Sequence, residues 1–166
     1  FSADGSIQVT GSHNPKNYNG FKMIALNNSF YGKDIIKLGE FSANGSDQKF
    51  DGKYEEIDVQ QIYISKILEP IKNDKSKILS KKKVIWDCGN GATGKVLKKL
   101  INNIPGEHHI LFDKIDGNFP NHPPDPTNKE NLKELKKHID KLNADLGIAF
   151  DGDGDRIAVM RKNGEL

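Results

Sequence analysis

Three aspartates at alternate positions, Asp151, Asp153 and Asp155, are separated by Gly152 and Gly154 and followed at once by Arg156. The glycines let the backbone fold tightly enough for all three carboxylates to face one point. At about 5 Å and an effective dielectric of ~20, each pair repels by roughly 3 kcal/mol, so a bound cation is the natural resolution. Oxygen-only donors select Mg²⁺ or Ca²⁺ over a thiophilic metal. A solvated acidic turn is the plainer reading, and an EF-hand loop the nearer rival. The EF-hand requires Gly at the sixth loop position and Glu at the twelfth, where counting from Asp151 this chain has Arg156 and Lys162. Arg156 beside the carboxylates suggests an anion held against the metal, which points toward phosphate chemistry.

Two further stretches carry chemical potential. Thr10-Gly11-Ser12-His13-Asn14-Pro15 is a turn-rich loop that displays Ser12 rather than burying it. His13 stands next to it, but adjacency in sequence does not make a Ser-His dyad, and the loop by itself reads as a polar turn. Asp87-Cys88-Gly89-Asn90-Gly91-Ala92-Thr93-Gly94 satisfies the dinucleotide fingerprint literally, with Asp113 near the expected acidic position. It therefore admits an NAD-binding oxidoreductase. Close strand-to-helix approach explains the same glycines equally well and leaves the three aspartates a separate task. His108, His109, His122 and His138 show no ligand spacing and read as surface or loop residues.

The elements that must position these residues follow from periodicity. Ser6 to Thr10 and Phe21 to Leu26 read as strands making a hairpin-like return around the serine loop, with Lys22 on the second. Asp34 to Leu38 is briefly helical, and 41–53 reads as irregular. Asp58 is placed to cap a helix running to about Leu68, with Val59, Ile62, Tyr63, Ile67 and Ile71 on its apolar side. A polar segment, 73–77, suggests a boundary. The chain then alternates: strand Val84–Cys88, helix Thr93–Asn102, strand His109–Phe112, a loop with four prolines from Asp116 to Pro126, a helix bearing Leu132, Leu135, Ile139 and Leu142, and strand Leu146–Phe150. Thr127 and Glu130 fit a capping box for that last helix. Such alternation predicts a largely parallel sheet with ligand groups beyond the carboxyl ends of its strands. Ile157 to Arg161 adds a strand and Asn163-Gly164 a turn.

Composition bounds the function class. The 166 residues carry a formal charge of +2 with lysines scattered among acids, which gives no footprint for nucleic acid. The one cysteine, Cys88, excludes intrachain disulfides and sits in an apolar strand pattern. No apolar run is long enough to span a membrane, and a cytoplasmic protein is expected. Because the chain opens on Phe1 and closes just after a hairpin turn, it reads as a piece of a longer polypeptide.

Thr10–Pro15 with Tyr18–Lys22, Asp87–Gly91, Asp116–Pro120 with Pro124–Pro126, and Asp151–Arg156 together resemble the α-D-phosphohexomutase superfamily, most closely its bacterial phosphomannomutase/phosphoglucomutase branch. The stretches occur in family order and cover most of the chain. In the proline-rich loop this chain has His122-Pro123 where the family has two adjacent histidines. The resemblance implies two consecutive three-layer αβα units with mixed, largely parallel sheets. Residues 1–70 would be the later part of the first domain, which lacks its opening strands, and 71–166 most of the second. It implies that Ser12 carries a phosphoryl group and that Asp151, Asp153 and Asp155 hold Mg²⁺ together with one of its oxygens. Arg156 would complement the phosphate, Lys22 would act as general acid/base with a pKa lowered by its cationic surroundings, and His13 and Asn14 would support the loop or substrate. The activity implied is exchange of phosphate between the 1- and 6-positions of a hexose phosphate, through a glucose or mannose 1,6-bisphosphate. These residues by themselves would be inactive. A non-catalytic binding module of the same family is the remaining alternative.

Overall fold

Apolar runs bounded by turn residues become strands here, and their order in the sheet decides where the loops gather. A computed structural model of the protein describes residues 3–45, 49, 51–72 and 81–166; the polar segment expected over 73–77 lies outside them. The chain divides into two compact units, Phe1–Thr10 with Asn19–Ile57, and Gly11–Tyr18 with Asp58–Leu166.

In the first unit β1 (Gly5–Val9), β2 (Phe21–Ala25) and β3 (Asn28–Phe30) form an antiparallel meander in that order. Gln8 lies opposite Lys22 and Val9 opposite Phe21. Leu26 and Asn27, both at positive φ, make the tight turn into β3, a three-residue strand too short to show a period of two. Helix α1 (Lys33–Asn44) continues through residues 41–44, where irregular structure is expected, because Phe41 extends the spacing set by Ile35 and Leu38. None of its residues is buried.

In the second unit the sheet order is β5-β4-β6-β7, with β4 (Lys83–Asp87), β5 (Glu107–Leu111), β6 (Leu146–Phe150) and β7 (Ile157–Arg161). β4 runs parallel to both β5 and β6, and β7 is antiparallel to β6. From β4 the chain steps outward to β5 through α3 (Thr93–Ile101), then back across β4 to β6 through α4 (Lys133–Leu142). Right-handed crossovers in opposite directions place those helices on opposite faces, which makes the αβα layering. The main core joins Ile85, Ala149 and Met160 of the sheet to Leu132, Leu135, Ile139 and Ala144. Gly147 is required beneath α4, since a Cβ there would lie 2.6 Å from Leu135 Cδ1. Trp86 stacks on Phe150 with centroids 6.2 Å apart and planes at 9°. Its Nε1–H donates to His108 Nδ1 at 3.1 Å, so His108 Nε2 donates to the Ile104 carbonyl at 3.1 Å.

Four further expectations change at this level. Helix α2 (Gln60–Lys72) buries Ile64 and Leu68 and half-buries Ile67 and Ile71, while Val59, Ile62 and Tyr63 are exposed, because the stripe that meets α3 is offset from the one expected. That burial groups residues 58–72 with the second unit, so the division by compactness falls after Ile57 and not near residue 70. The capping box does not form. Thr127 Oγ1 donates to Asp125 at 2.7 Å, and Asn128 accepts from Glu130 N–H at 3.0 Å to open the 3-10 turn Lys129–Leu132 before α4. Finally, His108 is half-buried and bonded through both nitrogens, not a surface residue.

Candidate active site

The register places the ends of β4, β5 and β6 side by side, with Asp87 opposite both Leu111 and Ala149, so three loops leave one edge of the sheet together. The glycine turn after β4 organises them. Gly91 lies against the acidic loop, where a Cβ would stand 2.6 Å from the Gly152 carbonyl, and Ala92 N–H donates to that carbonyl at 2.9 Å. Gly94 lies against the loop after β5, and a Cβ there would overlap the Asp113 carbonyl. The fingerprint glycines are therefore spent on close approach to protein backbone, and the second has no room for a pyrophosphate. The dinucleotide reading fails on this geometry.

Asp151 is fully buried, and its charge is satisfied locally. Oδ1 accepts from Gly154 N–H at 2.9 Å and Arg156 N–H at 3.2 Å, and Oδ2 accepts from Arg156 Nε–H at 3.0 Å. Gly154, at φ +79°, permits the turn. The Asp151 hydrogen bond, reinforced by the charges of Asp125 and Asp155, raises the Arg156 pKa further. Arg156 also faces Asp125 at 3.7 Å and Asp155 at 3.8 Å, and its Nη2 is buried with no hydrogen-bond partner among the described residues. The Thr127 hydroxyl bond, with Arg156 nearby, lowers the Asp125 pKa.

One carboxylate oxygen from each of Asp151, Asp153 and Asp155 lies within 4.8 Å of the others. Residues 11–18 bring Ser12 to this cluster. Its Oγ lies 3.4 Å from Asp151 Oδ2 and 3.3 Å from Asp153 Oδ1, with His13 Nδ1 at 3.3 Å. Ser12 adopts φ +51°, a conformation that costs of order 1–3 kcal/mol and persists only where its surroundings over-determine it. Gly152 is the reason the loop comes so close, since a Cβ there would overlap the Ser12 carbonyl. Lys16 Nζ donates to Asn118 Oδ1 at 2.6 Å and ties the serine loop to the proline-rich loop. A groove of about 340 Å³ between these two loops is lined by His13, Lys16, Asn118 and Phe119, among others. The oxygen donors fit a hard divalent cation, with Ser12 as a fourth oxygen. Asn14 is exposed in the same loop, its N–H closing a turn onto the Gly11 carbonyl at 3.0 Å. Lys22 is placed in the first unit, exposed on β2.

His122 was expected to be a surface or loop residue. It does lie in a loop, but half-buried against Asp87, with Nε2 3.1 and 3.0 Å from the two carboxylate oxygens and Nδ1 2.9 Å from the Pro123 carbonyl. Its partner is 35 residues away in sequence, and the one available signal was a carboxylate closing a buried strand. Cys88 is fully buried, and burial with the neighbouring Asp87 pushes its thiol up to about 11, so it is a packed core residue.

Comparison with known proteins is consistent along the chain. The family model described as phosphoglucomutase/phosphomannomutase, alpha/beta/alpha domain II matches residues 61–164, and the domain I model matches residues 1–40. A phosphomannomutase/phosphoglucomutase of Pseudomonas putida is 38% identical over 96% of this chain and 34% of its own length. A phosphoglucomutase of Neisseria gonorrhoeae is 36% identical with the same coverage of each chain. The crystal structure of a phosphoglucomutase/phosphomannomutase family protein from Burkholderia thailandensis superimposes with a TM-score of 0.86 and 40% identity, over 97% of this chain and 34% of that one. The chain thus spans about a third of the length of the relatives it matches.

Proposed function

Because the chain belongs to the phosphoglucomutase/phosphomannomutase family, we propose that its protein is a phosphohexomutase in which Ser12 is the phosphoryl carrier. The observation that carries this reading is the placement of the Ser12 hydroxyl 3.4 and 3.3 Å from Asp151 and Asp153. A hydroxyl so near a carboxylate cluster is suited to bear a phosphoryl group whose charge a shared cation balances. Mg²⁺, held by Asp151, Asp153, Asp155 and an oxygen on Ser12, would withdraw charge from the phosphoryl group and lower the barrier to its transfer.

The chain's own residues would divide the remaining work. The phosphoryl group passes from Ser12 Oγ to the free hydroxyl of a hexose 1- or 6-phosphate, which breaks one P–O bond, makes another and releases the sugar hydroxyl proton to a base. The bisphosphate so formed returns its other phosphoryl group to Ser12. Lys22 is the expected acid/base, by family resemblance. Arg156, fixed by Asp151 through Nε, has the buried Nη2 left to meet a phosphate oxygen. His13 lies close enough to Ser12 Oγ to orient it. Glucose and mannose phosphates are the substrates proposed. Among the described residues no helix is long and apolar enough to cross a membrane.

Mass spectrometry of the protein after incubation with glucose 1,6-bisphosphate and Mg²⁺ tests the reading. Phosphate on Ser12 is the expected outcome. An unmodified Ser12 would sink it, as an oxidoreductase or a binding module predicts.

A further inference from the structure

The four-proline loop, Asp116–Pro126, is anchored by something more specific than its prolines. Asp87, fully buried at the end of β4, accepts Gly89 N–H at 2.9 Å and faces His122 with both carboxylate oxygens. The Pro123 carbonyl can only accept, so Nδ1 of His122 carries a proton. A carboxylate can likewise only accept, so Nε2 donates to it and the ring is an imidazolium inside an ion pair. The Phe112 ring meets His122 edge to face at 5.4 Å. Next to it, Asn121 Nδ2 donates to Asn90 Oδ1 at 2.7 Å, a second tether onto the same glycine turn.

The residues that follow reach the acidic loop. Pro124 is buried and lies against Gly152, with Cγ 3.5 Å from where a Cβ would stand. Asp125, bonded to Thr127, faces Arg156 Nη1 at 3.7 Å. Arg156 is therefore held from two sides, Asp151 on Nε and Asp125 on Nη1, and only the second hold depends on the proline-rich loop. We propose that His122, paired with Asp87, is a positioning residue that clamps the proline-rich loop to the end of β4 and so sets the orientation of the Arg156 guanidinium beside the aspartate cluster. Its bearing on turnover rests on the phosphohexomutase reading; its bearing on Arg156 and on metal binding does not.

The test uses the 166-residue chain labelled with ¹⁵N. In the unsubstituted protein both His122 ring nitrogens are expected to show the shifts of N–H groups at neutral pH, and an unprotonated Nε2 overturns the ion pair. His122→Phe keeps a ring against Phe112 but removes both donors. It is expected to move the Arg156 Nε–H resonance and weaken Mg²⁺ binding by about tenfold, the low end for removing an outer-shell partner. His122→Gln, which restores a donor toward Asp87, is expected to recover most of both. Leu142→Ala, which removes a side chain packed against the main core, is the control for lost stability and should move neither. An unmoved Arg156 in His122→Phe, or an equal change in Leu142→Ala, overturns the proposal. Should His122→Phe not fold, the Gln variant decides, because losing the Arg156 resonance position there contradicts it. None of these readouts needs phosphate on Ser12 or mutase turnover, so failure of the phosphohexomutase reading is seen separately.

Discussion

The buried Asp151 and the two more exposed aspartates beside it play unequal parts. Asp151 already commits both oxygens to Gly154, Arg156 and Ser12, so its loss would remove the hydrogen bond that fixes Arg156 Nε, whereas Asp153 can be altered with less damage to the loop. Asp153→Asn, in a protein with all the family's domains, is expected to lower hexose phosphate turnover at least 100-fold while circular dichroism and thermal midpoint stay near those of the parent; retained turnover would remove the metal assignment. The same substitution relieves repulsion, so Mg²⁺ should raise the thermal midpoint of the unsubstituted chain by more than that of the variant. Gly152→Ala tests the meeting of the two loops. The new methyl displaces the Ser12 carbonyl, and an overpacking cost of about 1–3 kcal/mol together with loss of Ser12 phosphorylation is expected from urea titration and mass spectrometry. The three aspartates were legible in the sequence because their spacing is local and unusual, whereas the Ser12 loop by itself reads as a polar turn and is tied to them in the sequence only by the family resemblance. The His122–Asp87 pair was not, since nothing in either neighbourhood names its partner.

The loops that build the site are stiffened by contacts with titratable ends. Burial opposes protonation of His122, but the hydrogen bond and charge of Asp87, the Pro123 carbonyl and the more distant Glu134 outweigh it and raise its pKa above the usual value. A histidine raised on folding stabilises fully below its unfolded pKa, about 6.5, and its contribution is lost as pH rises through the folded value. The stability gap between the parent and His122→Phe in urea should therefore be wider at about pH 6 than at about pH 9; a gap that widens with pH would contradict the ion pair. In α4 the apolar residues sit where their period places them, because the helix buries one face, whereas β4 and β6 are covered on both faces and read as continuous apolar runs. On α2 the buried stripe begins at Ile64 and not at Val59, because apolar residues lie on more than one side of that helix and only contact with α3 selects among them. β3 offers just three residues and no pattern to read.

Burial is distributed unevenly between the two units. The core cluster of Ile85, Leu132, Leu135 and Ile139 lies wholly in the second, whereas α1 buries none of its residues and Ile7, Phe21 and Leu26 of the first are more than half exposed. Amide exchange is expected to be fastest to complete in β1–β3 and slowest in β4 and β6, and equal protection of the two sheets would contradict this account. Family domain models match both units, and the chain spans about a third of its relatives. These residues are accordingly expected to bind Mg²⁺ but to give no measurable hexose phosphate turnover in a coupled assay, and appreciable activity would show that the site needs nothing more. The single tryptophan offers a way to watch the second unit without any label. Trp86 precedes Asp87, and Phe150, on which it stacks, precedes Asp151. Its intrinsic fluorescence is therefore expected to respond to both the clamp and the aspartate loop, so that a cation titration should be visible as a change in emission intensity.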